Sequence, residues 1–218
     1  MFTKVKRGLL LFLVGIMLFS CVACGNKQTG DTENNQGLGS EIESESEIEK
    51  KVEIVDATDI LTKVWNSYET EDTDGNRYND RFAIMGGHFE SAVMDMPAKY
   101  DLTQTSDLEL MYCVPQSSIV MIDDAATMVH LMVASTFTAG AYHVTDAANV
   151  KTVVDEVKQQ IIQNHWLDGF PDEYLIMTVD DQYVISAIGN VDVVDNFETI
   201  LKEIYGKQVT VQMKESVR

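Results

Sequence analysis

Asp72, Asp74 and Asn76 stand at positions 1, 3 and 5 of a calcium-loop spacing, with Asp80 at position 9. Oxygen ligands in that order suit a hard cation. The match then breaks, because Arg77 replaces the glycine of position 6 and Ala83 the closing glutamate of position 12. The competing reading is an acidic turn in which Asp74-Gly75 sets the backbone. The four histidines, His88, His130, His143 and His165, include no pair at metal-ligand spacing, and no C-x-x-C is present beyond Cys21-Val22-Ala23-Cys24 near the N-terminus. No cofactor is expected. Met85-Gly86-Gly87-His88-Phe89 allows a tight turn or a close backbone approach, but the spacing of a phosphate-cradling loop is missing. Asn164-His165-Trp166-Leu167-Asp168-Gly169-Phe170-Pro171 gathers two aromatics, a histidine and an acid. His88, Trp166 and Phe170 are the candidates for a recognition surface, since exposed aromatics on a loop can anchor a partner. The competing reading folds Trp166 and Phe170 back into the core. No G-x-S-x-G, H-E-x-x-H or S-x-x-K is present, so no catalytic residue can be named.

A different chemistry is written at the N-terminus. Lys4, Lys6 and Arg7 precede an apolar run from Gly8 to Phe19, and Ser20-Cys21-Val22-Ala23-Cys24 follows. The run is shorter than the roughly 20 residues a spanning helix needs. It resembles a bacterial lipoprotein leader ending in a lipobox. A thiol would take a diacylglycerol, and small neighbours give a peptidase access. Cys24 is the expected lipidation site, with Cys21 the alternative. Two or more acyl chains make such an anchor stable.

The leader holds three of the 16 basic residues and none of the 35 acids, so the chain after it carries a net charge of −22. That excludes nucleic acid as a partner and charge-driven binding to anionic headgroups. The expected partners are the membrane, through the covalent lipid, and an envelope protein or small molecule. Cys113 is the remaining cysteine, so with Cys24 acylated no disulfide can form within the domain. It lies in an apolar run and reads as a small buried hydrophobe.

Residues 1–23 thus form a signal peptide. Residues 24–54 read as a flexible acidic tether, too polar to offset their chain entropy, with a short helix possible over Ile48–Val52. Residues 55–218 form a single domain. Apolar spacing predicts helices over Asp59–Tyr68 with Thr58 as cap, over Asp146–Asn164 with Asp146 as cap, and over Asp192–Tyr205 stopped by Gly206. Tyr174–Val179 and Tyr183–Ile188 alternate around Asp180-Asp181-Gln182 and predict a hairpin. Leu108–Val114 and Phe137–Val144 read as strands; Ala125–Ala134 fits either helix or strand. The expected fold is α+β, a mostly antiparallel sheet with helices packed on one face and a C-terminal β-α-β-β-α order.

The strings Met111-Tyr112-Cys113-Val114-Pro115, Asp123-Asp124-Ala125-Ala126, Thr136 to Val144, Gly169-Phe170-Pro171 and Tyr183-Val184-Ile185-Ser186, with their element order, resemble an uncharacterised family of lipoproteins from Gram-positive anaerobes that carry one domain of unknown function. The resemblance spans about residues 95–205 and implies a lipid-anchored extracytoplasmic α+β domain; it supplies no catalytic residues. The expected function is a membrane-anchored extracytoplasmic lipoprotein with a small binding or interaction domain. The alternatives are a cell-envelope hydrolase, using a histidine and carboxylates gathered by the fold, and an accessory subunit of a transport or cell-wall assembly.

Overall fold

A computed structural model describes residues 51–68, 83–166 and 169–217. Eight antiparallel strands make one sheet: β1 (Ile84–Gly86), β2 (Val93–Met94), β3 (Ala98–Lys99), β4 (Ile122–His130), β5 (Phe137–Val144), β6 (Glu173–Val179), β7 (Tyr183–Gly189) and β8 (Val209–Ser216). The spatial order is β2-β1-β4-β5-β7-β6-β8, with β3 pairing β4 beyond the end of β1. Among the described residues five helices pack with it: α1 (Ala57–Ser67), α2 (Ser106–Tyr112), α3 (Gln116–Ile119), α4 (Val150–Gln163) and α5 (Val191–Tyr205). The α+β class and the strand-helix-strand-strand-helix order from β5 to α5 are as the sequence implies, and β8 follows.

The helices lie on both faces of the sheet, not on one. Ala126, Met128, Phe137, Ala139, Ala141, Leu175, Met177, Ile185 and Ala187 share a core with α1 and α5. The alternate residues Ala125, Val129, Tyr142, Val144, Tyr174, Ile176, Val184 and Ile188 share a second core with α2, α3 and α4. Side chains alternate across a strand, so a strand covered on both faces reads as an unbroken apolar run. That explains why Ala125–Ala134, which overlaps β4, blurred the helix–strand distinction, whereas β5 is the strand expected over Phe137–Val144. The close packing also fixes small residues. A Cβ on Gly140 would stand 1.9 Å from the Tyr142 hydroxyl.

Local chemistry sets the boundaries. Asp56, rather than Thr58, caps α1 by accepting from the Asp59 amide at 2.7 Å. Asp146 caps a 3-10 turn, Ala147–Asn149, that leads into α4. Asp180 and Asp181 turn the β6–β7 hairpin with φ of +53° and +55°, a left-handed backbone that Asp tolerates. Leu108–Val114 is not a strand: Ser106–Tyr112 is helical and ends on Cys113 at φ +57°. Leu108 and Tyr112, four apart, point into the same core, and Asp107 and Glu109 sit in the first turn, where acids are favoured.

Lys51 to Ile54, assigned to the tether by composition, have a place in the fold. Val52 and Ile54 pack against the α1–α5 core, and Gln208 holds the Val52 backbone through both its amide atoms, at 2.6 and 3.0 Å. Lys51 and Val52 are not helical. Cys21, Cys24 and the calcium candidates Asp72, Asp74, Asn76 and Asp80 lie outside the described residues.

Candidate recognition surface

Gly86 and Gly87 bring the chain to the sheet edge and turn it. A Cβ on Gly86 would stand 2.2 Å from the Ala98 nitrogen, so the returning strand passes directly over it. Gly87 adopts φ +82° and donates its N–H to Thr127 Oγ1 at 3.1 Å. His88 follows and is 7% exposed. It is therefore the buried pivot of the turn and not itself a contact surface. Its Nδ1 accepts from the Glu90 amide at 3.3 Å, which leaves Nε2–H to face Asp107 Oδ2 at 3.3 Å. The same oxygen accepts from the Phe89 amide at 3.2 Å. The His88 ring meets the Tyr100 ring edge-on at 5.9 Å, and burial pushes the Tyr100 phenol above its ordinary range.

What this pivot presents is apolar. Phe89 is 64% exposed, and Val93, Met94 and Met96 are exposed beside it. β2 carries Val93 opposite Gly86 and Met94 opposite Met85. Leu131 and Met132, also exposed, leave the end of β4, where the Leu131 amide donates to Ala83 at 2.8 Å. Neighbouring strands are about 4.8 Å apart, so these residues border the edge within about two strand spacings, with Val93 and Met94 on opposite faces of it.

The Trp166 loop meets the other end of α2. Asn164 Nδ2 donates to the Leu110 carbonyl at 3.5 Å and lies 3.4 Å from Cys113 Sγ. Trp166 packs partly buried against the α2–α4 core, while Phe170 is 58% exposed. Leu167 and Asp168 lie outside the described residues. The two candidate loops thus hold opposite ends of one seven-residue helix, about 10 Å long at 1.5 Å per residue. Burial pushes the Cys113 thiol up to about 12.

A second histidine–carboxylate pair sits elsewhere. His143 Nδ1 is 2.5 Å from Asp123 Oδ1, and its ring is 4.8 Å from that of Tyr183. Asp123 falls at the register shift between Ile122 and Asp124, where the β4–β5 ladder is interrupted. Beside it, Asp124 accepts from the Ala57 amide at 2.7 Å and pairs with Lys99 at 3.1 Å; that bond raises the Lys99 ammonium above its ordinary range. Lys99, Asp101, Thr103, Asp123 and Asp124 help line a cavity of about 350 Å³. Thr103 Oγ1 already donates to Asp101 at 2.7 Å. No sequence spacing announced this pair, because its members meet only across the ladder.

His130 Nδ1 accepts from the Val133 amide at 3.0 Å, and His165 is exposed. Among the described residues, no group of three or more His, Cys, Asp or Glu is arranged to hold a metal ion. A larger cavity, about 710 Å³, lies where Lys51 and Val52 join the fold beside Asp180 and Gln208. No described helix is long and apolar enough to cross a membrane. Comparison with protein-family models, with curated proteins and with solved structures returns no match.

Proposed function

We propose that this chain is a lipid-anchored extracytoplasmic protein whose domain binds an envelope partner through the sheet edge beside His88. The observation that carries the binding role is the strip Phe89-Val93-Met94-Met96, an apolar edge held open by a buried histidine pivot. Exposed large apolar residues gathered at one edge mark an interaction site. The leader ending at Cys24 supports the anchor, as does the resemblance of residues 95–205 to lipoproteins of Gram-positive anaerobes. Fractionation of the expressing cell tests the anchor. Cys24→Ala should move the protein from the membrane to the soluble fraction. Retention by Cys24→Ala, Cys21→Ala and the double variant alike would reject it.

The His143–Asp123 pair and its adjoining cavity favour a second reading, an envelope hydrolase, because a carboxylate can fix the tautomer of a histidine base. On that reading the protein hydrolyses a member of a panel of p-nitrophenyl esters and phosphates, and His143→Ala abolishes the activity. No turnover above buffer on the panel, or full activity in His143→Ala, counts against it.

A further inference from the structure

We infer that the partner of the Phe89–Met96 edge is a cationic amphipathic helix. The inference rests on the binding role proposed above and assigns its chemistry. Three observations combine.

The first is charge. Residues 82–150 contain eight acids and a single basic residue, Lys99, which is paired with Asp124 at 3.1 Å. Glu90, Asp95 and Asp107 lie on or against the apolar strip itself. Among the described residues, a segment that seats apolar side chains there meets carboxylates at the rim, so basic flanks complement it and acidic ones are repelled. The same argument disfavours a second copy of this chain, whose net charge is −19.

The second is side-chain type. Met94, Met96 and Met132 supply half of the six exposed apolar residues of the strip. Unbranched thioethers adapt to an irregular apolar face, and a helix presenting anchors at i, i+3, i+4 and i+7 can bury several such side chains at once.

The third is backbone. β2 is two residues long, so an added strand would gain few ladder hydrogen bonds. The opposite edge, β8, offers eight residues but is guarded. Its ladder with β6 is interrupted at Gln212, and Lys214 is engaged by Glu173, Asp195 and Glu198. Bulges and lysines are the devices that blunt a strand edge. The edge that is left open is the one unsuited to strand addition, and side-chain burial must supply the affinity there.

The test uses the processed full-length protein in phosphatidylcholine nanodiscs, with empty discs as reference. The probe is a fluorescent 15-residue Leu/Lys peptide of helical period; Leu/Glu peptide of the same period and Leu/Lys peptide of alternating period are the comparisons. The helical Leu/Lys peptide should bind, and Phe89→Ser and Met94→Ser should each weaken it at least tenfold. Val211→Ser, on β8, should leave it unchanged. All three positions are exposed, so an unchanged urea midpoint identifies variants that remain folded. Absence of binding overturns the inference. So does equal binding to the strand-period or Leu/Glu peptide, loss of less than twofold in both edge variants, or binding no stronger than to empty discs. The two failures are distinguishable: a protein that does not enter the discs fails the anchor, whereas a protein held in the discs that does not capture the peptide fails this inference.

Discussion

The two edges of the sheet are built on opposite plans. At β8 a long strand is broken by a register shift at Gln212, and Lys214 gathers Glu173, Asp195 and Glu198. At β2 a two-residue strand carries exposed Val93 and Met94, His88 is buried against Asp107, and Glu90 and Asp95 stay exposed at the rim. The first edge spends charge on preventing contact. The second buries its histidine–carboxylate pair and shows apolar side chains. The difference teaches that exposure at β2 is not a gap in coverage, since the fold has the means to guard an edge and applies them at β8.

The contrast between the two histidine–carboxylate pairs follows the same division. His88 is 8% exposed at its side chain and sits within the turn that supports the apolar edge; His143 is 24% exposed beside a carboxylate that is 55% exposed. One pair is placed to hold backbone, the other to meet solvent.

Four experiments can break or sharpen the comparison. The largest effect is expected from Gly86→Ala, because the new Cβ collides with backbone atoms of the returning chain at 2.2 and 2.7 Å. Backbone cannot yield as a side-chain tip does, so a loss of about 3 kcal/mol is expected. An unchanged urea midpoint would show that the edge is looser than described. His88→Ala should come next, at about 1–2 kcal/mol, since it leaves the Glu90 amide without its acceptor and removes a donor from Asp107. The amide of Phe89 should then exchange faster with solvent; equal protection in both proteins would deny the pivot.

Lys214→Met tests the other edge. Burial raises the Glu198 carboxyl, but hydrogen bonds from Lys202 and Lys214 outweigh it and hold the group below its ordinary range. A depressed carboxyl contributes stability above its unfolded value, about 4.3, and loses it as pH falls through the folded value. Lys214→Met should therefore cost about 1 kcal/mol at pH 7, and the gap from the parent should shrink by pH 3. An equal gap at both pH values would mean that the lysine acts through packing alone. The smallest effect concerns Cys113, whose thiol burial lifts to about 12. Iodoacetamide at pH 8 should leave it unmodified in the native protein and alkylate it in urea; rapid native alkylation would place it in an open part of the α2–α4 face.

The fold was legible where a single periodicity ran long enough to be read. α4 and α5 carry unbroken stripes, Val153 to Ile161 and Val193 to Tyr205, and β6 and β7 alternate about a turn of acids. α2 was hidden because Leu108–Val114 is apolar on nearly every position and its left-handed stop falls on Cys113, where no glycine marks it. β1, β2 and β3 hold two or three residues each, too few to show a period. The one-face expectation failed for a related reason: small residues such as Ala139, Ala141 and Ala187 mark where helices approach the second face, and alternation alone does not reveal it. Within the recognition surface, the His88 turn was visible through Gly86-Gly87. The exposure of Phe89, Met94 and Met96 was not, because an apolar residue in sequence argues for burial. The His143–Asp123 pair depended on strand register and had no local signature.

The central claim is that the β2 edge receives a partner while the β8 edge does not. Methyl-labelled methionine reports on both edges in one spectrum, with Met94, Met96 and Met132 at the first and Met213 at the second. On titration with the helical Leu/Lys peptide, the resonances of Met94, Met96 and Met132 should move together and saturate, while that of Met213 stays in place. Movement of Met213 ahead of Met94, or equal small shifts at all four, would contradict the claim.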